Sequence, residues 1–302
     1  MEQIDETQNK KRPIFKFWDR ERDPKILKFI AILIIINASL IIIKNEAIWQ
    51  FGDSLTDENF SSDDINPEES DCNALGVNLH GFLSGYISND TKNENGENAE
   101  DQASSEDIVF TIQEADKDDT IKAIILEVDS SGGFPVSGEE VADALKRAKK
   151  PTVAWIRGQG LSAAYWAATG ANTIFASAVS DVGSIGVTLS YLDNYKKNLK
   201  DGLTFNSLST GKFKDTGSPD KPLTNEEKTL IMRDLNIVNE HFIKSVAVNR
   251  NLDIAKVRKL ADGSSMPGEL ALQNGLIDKI GGIYEIEDYL KEEIGEEVRI
   301  CW

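Results

Sequence analysis

Histidine and cysteine are scarce in this chain of 302 residues, which contains only two of each. A zinc site takes three or four ligands, and most of them come from these two residue types. Four such residues (His80, His241, Cys72 and Cys301) leave little for a metal centre. We therefore expect no metal and no cofactor in whatever chemistry this protein performs.

Basic residues are also in deficit, since 33 Lys and Arg stand against 51 Asp and Glu, which gives a net charge of −18. A nucleic-acid binder needs a concentrated basic face to neutralise phosphates. The composition thus argues against nucleic acid as a partner. The length allows one large domain or two small ones, each with a proper core.

One long apolar run is present, Ile26–Ile43, in which Lys28 is the sole charged residue. Its 18 residues fall within the 17–25 that a helix needs to cross a bilayer. A buried core helix would have amphipathic neighbours, and a cleaved signal peptide would be followed by a small-residue cleavage site; neither pattern adjoins the run. The sequence predicts a retained transmembrane anchor.

Charges on either side of the run predict its orientation. Residues 1–28 hold eight Lys and Arg against six Asp and Glu, whereas no Lys or Arg lies between Lys44 and Lys92. Positive charges stay on the cytoplasmic side of a membrane. We expect a single-pass protein of the cell membrane with a cytoplasmic N-terminus and an extracytoplasmic domain. A disulfide between Cys72 and Cys301 is conceivable there, and two free thiols are equally so.

The predicted organisation has five segments. They are a basic cytoplasmic segment (1–25), the anchor (26–43), an acidic linker (44–72), a folded domain (73–295) and a C-terminal tail (296–302). Within the domain, residues 74–87 predict a first strand with a hairpin, and the stretch around Asn89–Asp107 lacks periodicity and predicts a loop, acting as a lid or a tether.

Strand and helix patterns alternate from residue 106 onward, which favours βαβ crossovers and a largely parallel sheet. The predicted strands are 123–128, 152–156 and 173–176. The predicted helices are 108–115, 137–148, 163–169, 226–250 and 284–293. The fold class is therefore α/β.

Two glycine-rich turns follow predicted strands and are the candidate sites of chemistry. Gly132 and Gly133 follow the first of these strands, and backbone N–H groups of such a turn can form an oxyanion hole, although most Gly-Gly pairs are ordinary turns. In the second turn, Ser162 opens a helix. A serine at this position is usually a helix N-cap. The same geometry also exposes its hydroxyl to the positive end of the helix dipole, as a serine nucleophile requires.

A nucleophilic serine requires a base. Neither His80 nor His241 follows a strand in a glycine turn, so a Ser-His-Asp triad is disfavoured. A lysine can serve when burial keeps its amine neutral. Lys214, 52 residues after Ser162, is the best-placed candidate, although a loop lysine considered alone is usually an exposed surface residue.

Six motifs taken together resemble the signal peptide peptidase family of the short SppA type. In chain order they are D-S-x-G-G, G-x-x-x-S-x-x-Y-W, I-F-A-S, G-S-I-G-V, G-K-x-K-D and G-x-I-D-x-I-G-G, within Leu75–Leu290. The resemblance implies a Clp protease/crotonase-like αβα fold. It also implies a membrane-anchored serine protease that cleaves signal peptides left in the membrane, working as a homo-oligomer in which neighbouring protomers share one active site.

The resemblance also implies roles for individual residues. Ser162 would be the nucleophile and Lys214 the general base, with Ser184 orienting the lysine. The oxyanion hole would use the backbone N–H of Gly132 or Gly133 together with that of Ala163.

Two positions depart from the family pattern. Ser131 stands where the family usually has proline, and Ala163-Ala164 stand where it usually has Gly-Gly. Three alternatives stay open: a catalytically silent homologue acting as a membrane scaffold, a protease of other membrane proteins, and a coenzyme A-binding crotonase-type enzyme. The anchor and the G-K-x-K-D segment disfavour the last.

Overall fold

The computed structural model describes residues 72–87 and 101–302, which form a largely parallel β-sheet with helices on both faces. The strands are β1 (Ala74–Ser84), β2 (Gln102–Ser104), β3 (Ala123–Gly133), β4 (Thr152–Leu161), β5 (Thr173–Ala176), β6 (Asp181–Gly183), β7 (Ser265–Pro267), β8 (Lys279–Ile280) and β9 (Ile300–Cys301). The helices are α1 (Ser105–Lys117), α2 (Pro135–Arg147), α3 (Ala163–Ala168), α4 (Tyr195–Lys200), α5 (Asn225–Asn249), α6 (Ile254–Leu260), α7 (Gly268–Asn274) and α8 (Ile283–Ile294).

The main sheet has the order β2-β1-β3-β4-β5-β8, and all of these neighbours run parallel. β6 extends the sheet by pairing with the end of β4, and it forms the one antiparallel pair of the described residues, with β7. Carboxyl ends of parallel strands therefore meet at one edge. Ligand sites of open α/β sheets lie outside this edge.

Two hydrophobic layers cover the sheet. Alternate residues of a strand point to opposite faces. Ile124 and Leu126 of β3 accordingly pack in the larger cluster with α1, α2, α3 and α5, whereas Ile125 packs in a smaller cluster with Ile286 and Leu290 of α8. The α/β class with a largely parallel sheet is confirmed, and the order of layers is helix, sheet, helix.

Helix ends follow local capping chemistry. Ser104 caps α1 by accepting a hydrogen bond from the Asp107 N–H (3.1 Å), and Thr224 and Glu227 form a reciprocal capping box at the start of α5. Gly275 and Gly295 end α7 and α8 with φ near +77°, a conformation that glycine adopts without a steric penalty.

Several boundaries differ from the sequence-based predictions. The expected hairpin within residues 74–87 is wrong, because β1 is a single strand of 11 residues. Residues 102–104, expected to be part of a loop, form β2 beside β1. β3 and β4 continue through their glycine turns to Gly133 and Leu161, since these segments keep neighbouring strands to pair with.

Cys72 and Cys301 form a disulfide, with 5.8 Å between their Cα atoms. Residues 300–301 of the expected tail lie in β9, which pairs with the start of β1. This pairing brings together two cysteines that are 229 residues apart in sequence.

The predicted anchor, Ile26–Ile43, lies outside the described residues. Among the helices of residues 72–87 and 101–302, none is both long and apolar enough to cross a bilayer.

Candidate active site

Ser162 occupies the sharp turn between β4 and α3. Its backbone has φ 50° and ψ −124°, a region that non-glycine residues rarely adopt and that costs on the order of 1–3 kcal/mol. The turn is held from both sides: the Ser162 N–H donates to the Gly183 carbonyl (2.8 Å), and the Ser162 carbonyl accepts from the Trp166 N–H (2.9 Å). The half-buried side chain makes no capping hydrogen bond to α3. Ser162 thus has the position of a helix cap without its usual bond.

The end of β3 lies directly against Ser162. Gly132 has φ 118°, and a Cβ built on it would stand 2.8 Å from the Ser162 Cβ. A Cβ on Gly133 would stand 1.9 Å from the Leu83 carbonyl oxygen. Both positions therefore require glycine, because any side chain would displace either Ser162 or β1.

The backbone N–H groups near Ser162 are not equivalent. The Gly132 N–H donates to the buried Ser130 Oγ (3.1 Å), which itself donates to the Gly81 carbonyl (2.5 Å). Phe134 donates its N–H to Leu83 of β1, so the N–H of Gly133, one residue earlier in the strand, faces away from β1. This geometry favours Gly133 over Gly132 as the donor from this turn.

Ala163 is the first residue of α3, where a backbone N–H has no partner within the helix. The Ala163-Ala164 departure is compatible with the turn, because both residues are helical and neither has a positive φ. Ser131, the other departure, is exposed and lines the same cleft as Ser162. Gly132, Gly133 and Ala163 stay predictions as oxyanion donors.

Ser184 lies beside Ser162 because β6 pairs with the end of β4, with Gly183 opposite Leu161. It has φ 51°, and its backbone N–H donates to the Ser264 carbonyl (3.0 Å). Its hydroxyl donates to the Gly263 carbonyl (3.1 Å). The second strained serine of the site is thus fixed by the turn that precedes β7.

A cleft of about 900 Å³ contains both serines and is called the Ser162 cleft below. Its apolar lining residues are Phe82, Phe134, Pro135, Val187, Leu189, Met232, Leu235 and Ala261. Its polar lining residues are Ser131, Ser162, Ser184, Thr188, Asn236, Asn239 and Asp262. A cleft that presents apolar side chains together with hydrogen-bonding groups suits an extended peptide with apolar side chains.

Lys214 is not among the residues that line this cleft. It is exposed, lies between α4 and α5, and its backbone N–H donates to the Gly211 carbonyl (3.1 Å). The single chain therefore brings together Ser162, Ser184 and Gly133, and it leaves Lys214 apart from them.

The Lys214 loop is anchored by an ionic network next to it. Lys221 Nζ lies 3.7 Å from Asp215 and contacts Glu227, whose carboxylate also accepts from the Thr224 N–H (2.9 Å). The hydrogen bond from Lys221, and next those from Thr224, lower the pKa of Glu227 to about 2. This network ties the lysine loop to the start of α5.

Residues 186–226, called the arm below, contain no buried residue although they carry many large apolar side chains. The exposed ones are Leu189, Tyr191, Leu192, Leu199, Leu203, Phe205, Leu208 and Phe213. Apolar surface of this extent is typical of an interaction site.

The sequence profile of peptidase family S49 matches residues 144–297. The chain belongs to peptidase family S49. The matched region includes Ser162, Ser184 and Lys214 and begins after Gly133. Membership confirms the family that the six sequence motifs predict.

Relatives with protease names agree with this assignment. The chain is 37% identical over 183 residues to a protein of Methanocaldococcus jannaschii with a provisional protease name, covering 60% of this chain and 58% of the relative. It is 32% identical over 197 residues to a protein of Enterococcus faecium provisionally named signal peptide peptidase SppA, covering 64% and 57%. It is 29% identical over 193 residues to Protease 4 of Haemophilus influenzae, covering 63% and 31%. These matches span less than two thirds of each relative.

Sequence reasoning missed two features of this S49 site. Ser130 is buried and accepts a hydrogen bond from the Gly132 N–H. The D-S-x-G-G motif contains this serine without indicating its role. Asn239 lines the cleft from α5, far from any glycine turn in sequence. No group of three or more His, Cys, Asp or Glu side chains in residues 72–87 and 101–302 is arranged to hold a metal ion.

Proposed function

We propose that this protein is a membrane-anchored serine endopeptidase that uses Ser162 and Lys214 as a catalytic dyad. The observation that carries the proposal is the strained turn of Ser162, whose hydroxyl makes no hydrogen bond to the helix and whose Cβ lies close to Gly132. Strained serine turns between a strand and a helix are a recurrent solution for presenting a nucleophile.

In the proposed reaction, Ser162 Oγ attacks the carbonyl carbon of a peptide bond while a neutral lysine amine takes its proton. The N–H groups of Gly133 and Ala163 stabilise the oxyanion. Lysine then returns the proton to the leaving amine, and water hydrolyses the acyl-enzyme with the same lysine as base.

The exposed apolar surface of the arm supports a dyad that is shared between protomers. A lysine acts as a base only where water is excluded, and Lys214 of the single chain is exposed to solvent. A second copy of the chain seated on the apolar arm would exclude that water. It would also bring one protomer's lysine loop toward another protomer's Ser162 cleft. Oligomerisation is therefore part of the proposal.

Signal peptides, or other peptides held at the membrane, are the proposed substrates. The support is the apolar side chains that line the Ser162 cleft, the predicted anchor at Ile26–Ile43 and the name of the Enterococcus relative. The anchor would hold the extracytoplasmic domain at the membrane surface where such peptides remain.

Labelling of the full-length chain in detergent with a fluorophosphonate tests this proposal. We expect covalent labelling of the wild type, and its loss in Ser162→Ala and in Lys214→Ala. Lys212→Ala is the matched control, because Lys212 lies in the same loop and pairs with the exposed Glu226 (2.8 Å). Labelling that survives Ser162→Ala would contradict the site. An assembled wild type that does not label would favour the silent scaffold.

A further inference from the structure

Asn239 is a half-buried polar residue of the Ser162 cleft, and its side-chain oxygen has no hydrogen-bond partner among the described residues. It lies on α5 and lines the cleft together with Ser162 and Ser184. Its Oδ1 is shielded from solvent and accepts no hydrogen bond from any described residue. Native proteins rarely leave a buried amide oxygen in this state, because it loses its hydration without gaining a replacement.

The backbone of Asn239 is held firmly in place. One turn later on α5, Phe242 stacks on Trp166 of α3 with 4.5 Å between ring centroids and 6° between ring planes. His241 lies 5.7 Å from the same Trp166 ring and 2.5 Å from Glu139 of α2. These contacts fix the side of the Ser162 cleft that α5 forms to α3, the helix that begins directly after Ser162.

The residues around Asn239 on this side of the cleft would accept an apolar side chain. Besides Asn239, α5 contributes Met232, Leu235 and Asn236 to the cleft lining. A leucine at position 239 would extend the apolar surface of Met232 and Leu235 and remove the unpaired amide oxygen. An unpaired carboxamide oxygen at this position lowers the free energy of unfolding of the peptide-free protein. It becomes useful only when a ligand supplies the missing hydrogen bonds.

We propose that Asn239 binds a main-chain peptide group of the substrate. Its carboxamide has both a donor and an acceptor, which matches the C=O and N–H of a peptide unit. In this role Asn239 fixes the position of the extended substrate relative to Ser162, whatever side chains the substrate carries. The inference rests on the proposed function in that the ligand is a peptide.

Peptide binding to a catalytically silenced chain tests this role directly. The full-length Ser162→Ala protein is titrated into a fluorescein-labelled apolar peptide of about ten residues, and anisotropy gives the Kd. Adding Asn239→Ala or Asn239→Leu is expected to raise the Kd about tenfold, as the loss of hydrogen bonds in a desolvated site does. Asn225→Ala, on an exposed residue at the start of α5, is the control and should leave the Kd unchanged.

Thermal unfolding separates binding from a structural role. Without peptide, Asn239→Leu should melt at the same temperature as its parent or higher, because it removes a buried amide oxygen that has no hydrogen-bond partner. Parent-like affinity of Asn239→Ala, absence of peptide binding by the parent, or a lower Tm for Asn239→Leu would each overturn the inference.

Fluorophosphonate labelling of chains with intact Ser162 keeps the two proposals distinguishable. Labelling without any effect of Asn239 on the Kd refutes the role of Asn239 alone. Binding that depends on Asn239 in a protein that never labels refutes the peptidase and leaves the peptide-binding role standing.

Discussion

Ser162 and Lys214, the two proposed catalytic residues, lie in regions that are built very differently. Every residue of α3 after Ser162 is buried, and the turn itself is bonded to β6. In the arm, residues 186–226, no residue is buried, and Leu208 is 100% exposed. The comparison shows that one chain can hold Ser162, the proposed nucleophile, in place by itself. We infer that a second copy of the chain is needed to complete the environment of Lys214, the proposed base.

The largest expected effect tests the rigid side of this comparison. Gly132→Ala would place a Cβ 2.8 Å from the Ser162 Cβ on a residue with φ 118°. We expect the rate of fluorophosphonate labelling to fall about 100-fold, because a small displacement of a nucleophile has such an effect. Gly85→Ala is the matched control, since a Cβ there would contact nothing within 4 Å. Equal rates for both variants would contradict the close packing at Ser162.

Reduction of the Cys72–Cys301 disulfide tests how much the stability of the β-sheet domain depends on this covalent bond. The bond closes a loop of 229 residues, and the chain-entropy relation gives a contribution to the free energy of unfolding of about 5 kcal/mol. Urea unfolding with and without dithiothreitol measures it. A Cys72→Ser/Cys301→Ser variant should be as unstable as the reduced protein, and dithiothreitol should not change its free energy of unfolding. If dithiothreitol leaves the free energy of unfolding of the wild type unchanged as well, the disulfide makes no such contribution.

Leu208→Asp tests the role of the arm. Leu208 is fully exposed in the single chain, so the substitution should leave the free energy of unfolding of the isolated protomer within about 0.5 kcal/mol of the wild-type value. In an assembly that covers the arm, a buried aspartate is costly, and light scattering should show smaller particles with reduced labelling. An unchanged particle mass would show that Leu208 stays exposed in the assembly.

A pH dependence of stability is expected at the base of the arm. Because the pKa of Glu227 is lowered to about 2 from an ordinary 4.5, its ionised form stabilises the fold at pH values above about 4.5. This stabilisation is lost as the pH falls from about 4.5 toward 2. Glu227→Gln should lower the Tm at pH 6 and show a smaller decrease in Tm over that acid range. Parallel Tm curves for variant and wild type would contradict the role of Glu227.

The same contrast between the buried surroundings of Ser162 and the exposed arm explains how much could be predicted from sequence. β5 was predicted with its observed bounds, and α5 and α8 within one residue at each end, because buried strands and long helices have strong local patterns. Local patterns also mark the turn that carries Ser162, since it lies between two such elements.

Other features depend on contacts that are distant in sequence or outside the chain. The Cys72–Cys301 bond follows from the pairing of β9 with β1 across nearly the whole domain, and no local pattern contains it. Asn239 reaches the cleft because Phe242 packs on Trp166. The environment of Lys214 depends on what covers the arm, which one chain cannot specify.

Mixing two inactive variants is the most direct test of the central claim. Full-length Ser162→Ala and Lys214→Ala chains are co-assembled in equal amounts, and cleavage of a signal peptide is measured. If neighbouring protomers share the dyad, the mixture should recover about a quarter of the wild-type activity, because about one interface in four joins an intact serine to an intact lysine. A mixture that stays inactive while the wild type cleaves would show that Ser162 and Lys214 of one chain act together.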